Sequence, residues 1–400
     1  MEFVIPVDIN GNTKGYYNKN DVLQDINSEN GWFEARFVPN SDEDSCINGS
    51  YVEGGMLTFA SPADYISGKL VFQNPAFKRT SKALRADIEE VYNIIQERKT
   101  DEINKLLEDH ILNIKWANVY NIGHGNFITL NDDNDNTKAI YDIGLPYAFP
   151  ISKSPRIMKQ DYKAVYNEMK NIKAEIVIIS HWDSDHYIGA YENKQDIFDI
   201  PWIVTECNPK GQINAKRIMA YLYCKKNINY RNNLFLYKGN PKNTQLAFAE
   251  YDDNKSYKFQ LYKGHGTSPM ITPINCQGIA VRISINDVST LMCGDIPYDC
   301  LSDNIINDNV YEYVVIPHHA SNMDQKSYDA LAKINSIKYP IICVNNKEKL
   351  GRTGVKIKKG EHCKNIRKKS GNIVFFTDNN THSLKQYKLN LSSRNSLTQI

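Results

Sequence analysis

Within six consecutive residues, His181-Trp182-Asp183-Ser184-Asp185-His186, the chain offers two imidazoles and two carboxylates without collecting them from distant segments. Metal binding is the natural use of nitrogen and carboxylate donors at that density. The competing reading is a helix start capped by Asp185, with its histidines in solvent. The eight cysteines are dispersed and form no C-x-x-C pair, so they read as reduced thiols rather than a disulfide framework or a thiolate zinc knot.

The elements that must position this hexapeptide alternate between strands and helices. Ala174 to Ser180 is an apolar, β-branched run of the kind found in buried strands, and it delivers the chain directly to His181. NFITL and KAIYDIG, joined by the turn formers NDDNDN, predict a hairpin upstream, and a polar helix is expected near 156–172. Strand candidates recur at PWIVTE, LFLY, YKFQLY, GIAVRISI, STLMCGD, YEYVVIPHH, YPIICVNN and GNIVFFTD. Residues 1 to about 80 carry short extended runs such as GMLTF and KLVF. Apolar residues at helical spacing then run from Leu84 to Ile111, as one long helix or two broken near Thr100. The expected organisation is a β-rich then helical N-terminal extension over 1–110, of unknown role, and a second domain over 111–400 that carries the hexapeptide.

IISHWDSDHYIGA resembles the signature of the metallo-β-lactamase-fold hydrolases, H-x-H-x-D-H followed by small residues. Asp183 stands where the second histidine is usual, a departure shared by the competence DNA-uptake (ComEC-type) nuclease branch. VYNIGHGNFITL, YDIG, LMCGDIP, VVIPHHASN (Ala320 replacing the usual glycine), VNN, GEHCKNI and VFFTD follow that branch's order over about 115–390. The resemblance implies an α/β fold, the αββα sandwich, and two divalent cations. His181 and Asp183 would face one and Asp185 and His186 the other, with Asp295 bridging. His265 would complete the first and His318 the second, with His319 beside it for the substrate. The two histidines could exchange roles, and His362 could also reach the centre. Asp142 would orient the metal loop by hydrogen bonding. In such a set a metal-activated hydroxide is the nucleophile, Asp185 orients it, and His319 or His362 stabilises or protonates the leaving alkoxide. Zinc is favoured, and because a third carboxylate hardens the ligand field, manganese becomes the alternative.

Composition bounds the partners. Forty-eight Lys and Arg against 46 Asp and Glu give a net charge of +2, which advertises neither nucleic acid nor a membrane globally. No run approaches the ~18 apolar residues of a membrane span, and the start lacks a signal-peptide layout, so a cytoplasmic protein is expected. Locally the charge is uneven. Residues 201–243 hold eight cations, among them Lys225 and Lys226, against Glu206, with four tyrosines interleaved; 347–369 hold ten, among them Arg367 and Lys368, against two glutamates. Such segments suit a polyanion, with phosphate contacts giving affinity and tyrosines stacking bases, or they are solvated surface. The expected activity is a metal-dependent phosphodiesterase or nuclease acting on DNA or RNA. The alternatives are a hydrolase of the same fold acting on a small ester, lactone, cyclic nucleotide or phosphocholine-type substrate, and a non-catalytic module recruiting a protein partner through 1–110.

Overall fold

Two β-sheets, each part antiparallel and part parallel, face one another and carry helices on their outer sides. The computed structural model describes residues 88–122, 125–144, 167–193, 197–208, 212–225, 227–239, 246–254, 256–307, 309–343, 360–377, 387–394 and 397–399, and the backbone of 36–39 and 68–71. The chain divides into one compact unit of residues 1–96, 151–159 and 207–234 and a second of 97–150, 160–206 and 235–400.

In the second unit, one sheet contains β3 (Trp116–Val119), β4 (Phe127–Asn131), β5 (Thr137–Ile143), β6 (Ile176–Ile178), β7 (Trp202–Val204) and β8 (Leu234–Leu236), with β16 (Tyr387–Asn390) and β17 (Leu397–Gln399) added beside β3. The other runs in the order β15 (Phe375–Phe376), β14 (Ser336–Ile342), β13 (Val310–Val315), β12 (Val288–Met292), β11 (Ile279–Ile285), β10 (Tyr257–Lys263), β9 (Ala249–Asp252). The expected hairpin is β4–β5, and its turn is closed by Asp132, whose carboxylate accepts the backbone N–H groups of Asn134 and Asn136. The polar strands β9, β16 and β17 lacked an apolar signature and were not anticipated.

The sheets are tied face to face by buried polar groups. The Tyr141 hydroxyl on β5 donates to the carbonyl of Ile279 on β11 (2.8 Å), and Ile279 N–H donates to the Ser180 carbonyl just past β6 (2.8 Å). Helices α6 (Gln325–Lys333) and α7 (Glu361–Lys369) bury Leu331, Cys363 and Ile366 in one cluster with Val314, Ile337 and Ile342 of the sheet beneath. On the opposite side residues 167–171 are helical; Met169 is buried, and a Cβ placed on Gly189 would meet its sulfur at 2.7 Å. This layering is the αββα sandwich. Two helices cover the stretch that left one or two open: 88–94 and α1 (Thr100–His110), which buries Ile103, Leu106 and Leu107. α1 belongs to the sandwich unit, and the Tyr257 hydroxyl on β10 donates to the carbonyl of Ile111 at its end.

The first unit is described in part. β1 (Arg36–Pro39) pairs antiparallel with β2 (Gly68–Val71), while GMLTF lies outside the described residues. Lys216, buried on α3 (Ile213–Cys224), reaches both carboxylate oxygens of Glu89 at 2.6 Å. Among the described residues no helix is long and apolar enough to cross a membrane.

Candidate metal centre

Strands β5, β6 and β7 run parallel to one another, as do β12, β13, β14 and β15. Chain segments leaving their carboxyl ends converge, the position where open α/β sheets place their ligands. Past β6 comes the His181 loop with the short helix α2 (Ser184–Tyr187); past β12 comes Asp295; past β13 come His318 and His319. Glycines make the approach possible. A Cβ on Gly144 would lie 1.6 Å from the Asp185 carbonyl, and one on Gly294, at φ +55°, would lie 2.5 Å from Ser180 Cβ.

Asp295 is 3% exposed, and its two oxygens address different partners. Oδ1 lies 3.2 Å from His186 Nε2 and 3.7 Å from His319 Nε2, and Asp185 Oδ2 stands 3.4 Å from His319 and 3.9 Å from His186. Oδ2 lies 3.8 Å from both His181 Nε2 and His318 Nε2, accepts a hydrogen bond from Asn275 Nδ2 (3.2 Å), and has Asp183 beyond, 3.4 Å from His181. Two three-residue groups meet metal-ligand spacing among the described residues: His181, His186 and Asp295, and Asp185, His186 and His319.

The opposite ring nitrogens fix what Nε2 presents. His186 Nδ1 donates to Asp142 Oδ2 (2.8 Å), and His319 Nδ1 donates to the Cys343 carbonyl (2.8 Å). The Ser180 hydroxyl spends its proton on Asp142 (2.8 Å), so His181 Nδ1 donates to that hydroxyl oxygen (3.0 Å). All three rings therefore turn Nε2 toward acceptor oxygens, and something positive must stand between, a proton or a cation. Burial disfavours charge on His186, but Asp295, Asp142 and Asp185 override it and hold the imidazole well above its ordinary pKa. His319 is raised in the same way by Asp295 and Asp185. Against burial, His186 holds the Asp185 carboxyl down at about 2, and His186, His318 and His319 hold Asp295 well below the carboxylate range. The donor set fits divalent cations: carboxylates with each imidazole oriented from behind by a carboxylate, a carbonyl or a hydroxyl.

The structure separates the expected residues. His181, Asp183, Asp185, His186, Asp295, His318 and His319 converge. Of the adjacent pair, His319 faces Asp185 and the Oδ1 side, while His318 faces Oδ2. A turn in which His318, His319 and Ala320 all have positive φ (51°, 51° and 59°) sends the two rings to different oxygens. Asp142, itself at φ +58°, accepts the Ser180 N–H (2.7 Å) as well as the His186 ring. His265 enters neither group. His362 is buried on α7; its Nδ1 donates to the Ser321 carbonyl (2.8 Å), leaving Nε2 to accept from the Tyr298 hydroxyl (3.2 Å). Burial brings its pKa down to about 4, so the ring is neutral at neutral pH. Trp182 and Tyr187 are core, with the Trp182 indole donating to the Thr205 carbonyl. Asn275, Ser180 and the Cys343 carbonyl were missed by sequence reasoning; Asn275 and Ser180 sit beside apolar runs like many polar residues without a role, and a carbonyl has no sequence signal.

The basic segments fare unevenly. Lys216 and Arg217 are buried rather than available to a polyanion, and Lys369 Nζ donates to the carbonyls of Ala332 and Ile334. Lys368 is exposed on α7, Arg367 and Lys225 are half-buried, and Lys226 lies outside the described residues, as do Gly123 and His124.

No protein-family model matches the chain, and no curated protein matches it. Solved structures similar to it include Zn2+-bound PqqB from Methylobacterium extorquens, at 10% identity over 66% of this chain and 87% of that one (TM-score 0.34). Unliganded yeast PDE1 is similar at 11% identity over 66% and 97% (TM-score 0.33), and human tRNase Z, short form, at 11% over 53% and 81% (TM-score 0.28). The two facing sheets with helices on their outer sides form an αββα sandwich, and the H-x-D-x-D-H loop sits at the carboxyl end of β6.

Proposed function

We propose that the chain is a dinuclear metallohydrolase acting on phosphodiester bonds. The observation that carries this reading is the split of Asp295. One carboxylate shared between an Asp185, His186, His319 side and a His181, Asp183, His318 side is placed to serve two cation positions, which these residues would hold. Divalent cations held by these residues would supply an activated water, polarise the scissile group and neutralise the leaving oxygen. The protein's own groups do the positioning. Asp185 is ionised throughout the physiological range and accepts a proton or orients a water hydrogen on the Oδ1 side. His318, 26% exposed in its side chain, and Asp183, 40% exposed, form the solvent-facing rim where a substrate enters. Burial of the His318 ring outweighs the pull of Asp295 and lowers its pKa.

Exposed Lys368 and the tyrosine-interleaved cations of 201–243 support a nucleic-acid substrate; the burial of Lys216 and Arg217 supports the second reading, a small phosphodiester or ester. The test is metal analysis of the purified protein with labelled single- and double-stranded DNA and RNA, cyclic nucleotides and lactones as substrates. Cleavage of the polymers that declines steeply with salt supports the first reading. Two bound metals with turnover of small substrates alone support the second. Fewer than two metals per chain and no hydrolysis with added zinc or manganese reject both.

A further inference from the structure

Asp295 Oδ2 accepts a hydrogen bond from a side chain that belongs to neither ligand group, Asn275. That residue lies on the single turn α4 (Pro273–Cys276), between β10 and β11, and is 3% exposed. The turn is pinned against the loops of the facing sheet. Thr205, just past β7, donates its hydroxyl to the Gln277 carbonyl (3.2 Å), Ile279 N–H reaches the Ser180 carbonyl, and a Cβ on Gly278 would lie 3.0 Å from that same oxygen. At the head of the turn the Thr272 hydroxyl donates to Asn275 Oδ1.

We propose, on the strength of the dinuclear reading, that Asn275 is a positioning residue for Asp295, locked by Thr272, and that it sets the affinity of the cation position on the Oδ2 side. The orientation of the amide follows from its partners. A carboxylate only accepts, so the Nδ2 end must face Asp295, and the Oδ1 end is left to receive the Thr272 hydroxyl. The Thr272 side chain makes no capping bond to the turn it precedes, so the amide is its partner.

The Oδ2 side needs this support more than the other does. At Oδ1 the imidazoles of His186 and His319 are each anchored through Nδ1, by Asp142 and the Cys343 carbonyl. Facing Oδ2, His181 Nδ1 has the Ser180 hydroxyl, but His318 Nδ1 is buried with no hydrogen-bond partner among the described residues. The amide at 3.2 Å is also nearer to Oδ2 than either imidazole, both at 3.8 Å. Holding the carboxylate from this side keeps one oxygen aimed at each cation position, whereas a carboxylate free to turn about its Cβ–Cγ bond would lose that aim. Asn275 thus orients the shared ligand on the side whose imidazoles are less well oriented.

The full chain, freed of metal, is titrated with zinc by calorimetry in competition with a chelator. In Asn275→Leu, similar in size but without donor or acceptor, one zinc constant is expected to fall about 10–100-fold, the same one that Asp183→Ala lowers, while the other stays within about twofold of wild type. A merely structural role for the amide would move both constants together. Thr272 is exposed, so its variants keep the core intact and decide the matter even if Asn275→Leu fails to fold. Thr272→Val is expected to lower that same constant by about tenfold, the low end of the range, and Thr272→Ser, which keeps the hydroxyl, to hold the wild-type value. Both constants falling together, neither changing, or Thr272→Val matching Thr272→Ser would overturn the proposal and leave the dinuclear reading standing. A wild-type chain that takes up fewer than two zinc ions overturns that reading and the proposal with it.

Discussion

The two sides of Asp295 are built differently. On the Oδ1 side, Asp185, His186 and His319 are all buried, and both rings are fixed from behind by Asp142 and the Cys343 carbonyl. On the Oδ2 side only His181 is fully buried, while Asp183 and His318 keep 40% and 26% of their side chains in contact with solvent. The difference is one of access: on the proposed reading the closed side would grip a cation and the open side would exchange water, cation and substrate. A ligand whose orientation is secured from behind loses less freedom when it binds.

Removing the shared group should erase the comparison altogether. Asp295→Ala is expected to reduce metal content from two per chain to one or none and to lower hydrolysis by ~10²–10³-fold, of the order seen when a charge-stabilising group is lost; the checks are elemental analysis and initial rates, with circular dichroism to establish that the fold survives. Single substitutions on each side should sharpen it. His186→Ala is expected to cost the metal of the Oδ1 side, because its one free ring nitrogen faces Asp295 Oδ1 and Asp185. Asp183→Ala should lower affinity for one metal only, read as a two-phase competition titration with a chelator.

Support groups come next in size. Asp142→Asn should weaken metal binding by about 10–100-fold while leaving stoichiometry at saturation unchanged. The loss arises because the amide no longer anchors the His186 N–H and the Ser180 N–H together.

The pH dependence follows from the raised imidazoles. In the metal-free chain, the His186 and His319 charge pairs stabilise the fold at pH below the ordinary imidazole pKa, and that contribution disappears as pH climbs through the raised values. A cation must expel those protons, so its binding should tighten with rising pH and release protons on the closed side. Calorimetry in buffers of different ionisation enthalpy counts them. Binding that is unchanged between pH 6 and 9 would break the assignment of these rings as ligands.

The smallest effect concerns the turn that separates the two sides. Ala320 sits at φ +59°, where a Cβ costs roughly 1–2 kcal/mol, partly offset by glycine's greater chain entropy and the lost methyl. Ala320→Gly is therefore expected to raise stability by at most about 1 kcal/mol in denaturant titration and to leave metal stoichiometry alone.

Legibility followed locality. The His181–His186 loop was readable because its ligands are contiguous and follow an apolar strand, and Gly294-Asp295 was readable because it ends another. The roles of His318 and His319 were not, since a left-handed turn, not residue type, decides which ring meets which oxygen. Lys216 read as a surface cation because its partner Glu89 lies 127 positions away. His362 looked like a proton donor by type, and only its engagement by Ser321 and Tyr298 reveals a neutral ring that ties α7 to the turn carrying His319.

The carboxylate and imidazole ligands arise from strand ends on both halves of the sandwich, between 181 and 319 in the chain, and none of the three-membered groups is complete within one sheet. A nascent chain therefore has no finished cage to offer until its halves have docked. On the proposed reading, cation capture would be a late clasp in assembly, one that closes only on a correctly joined molecule and then resists its coming apart.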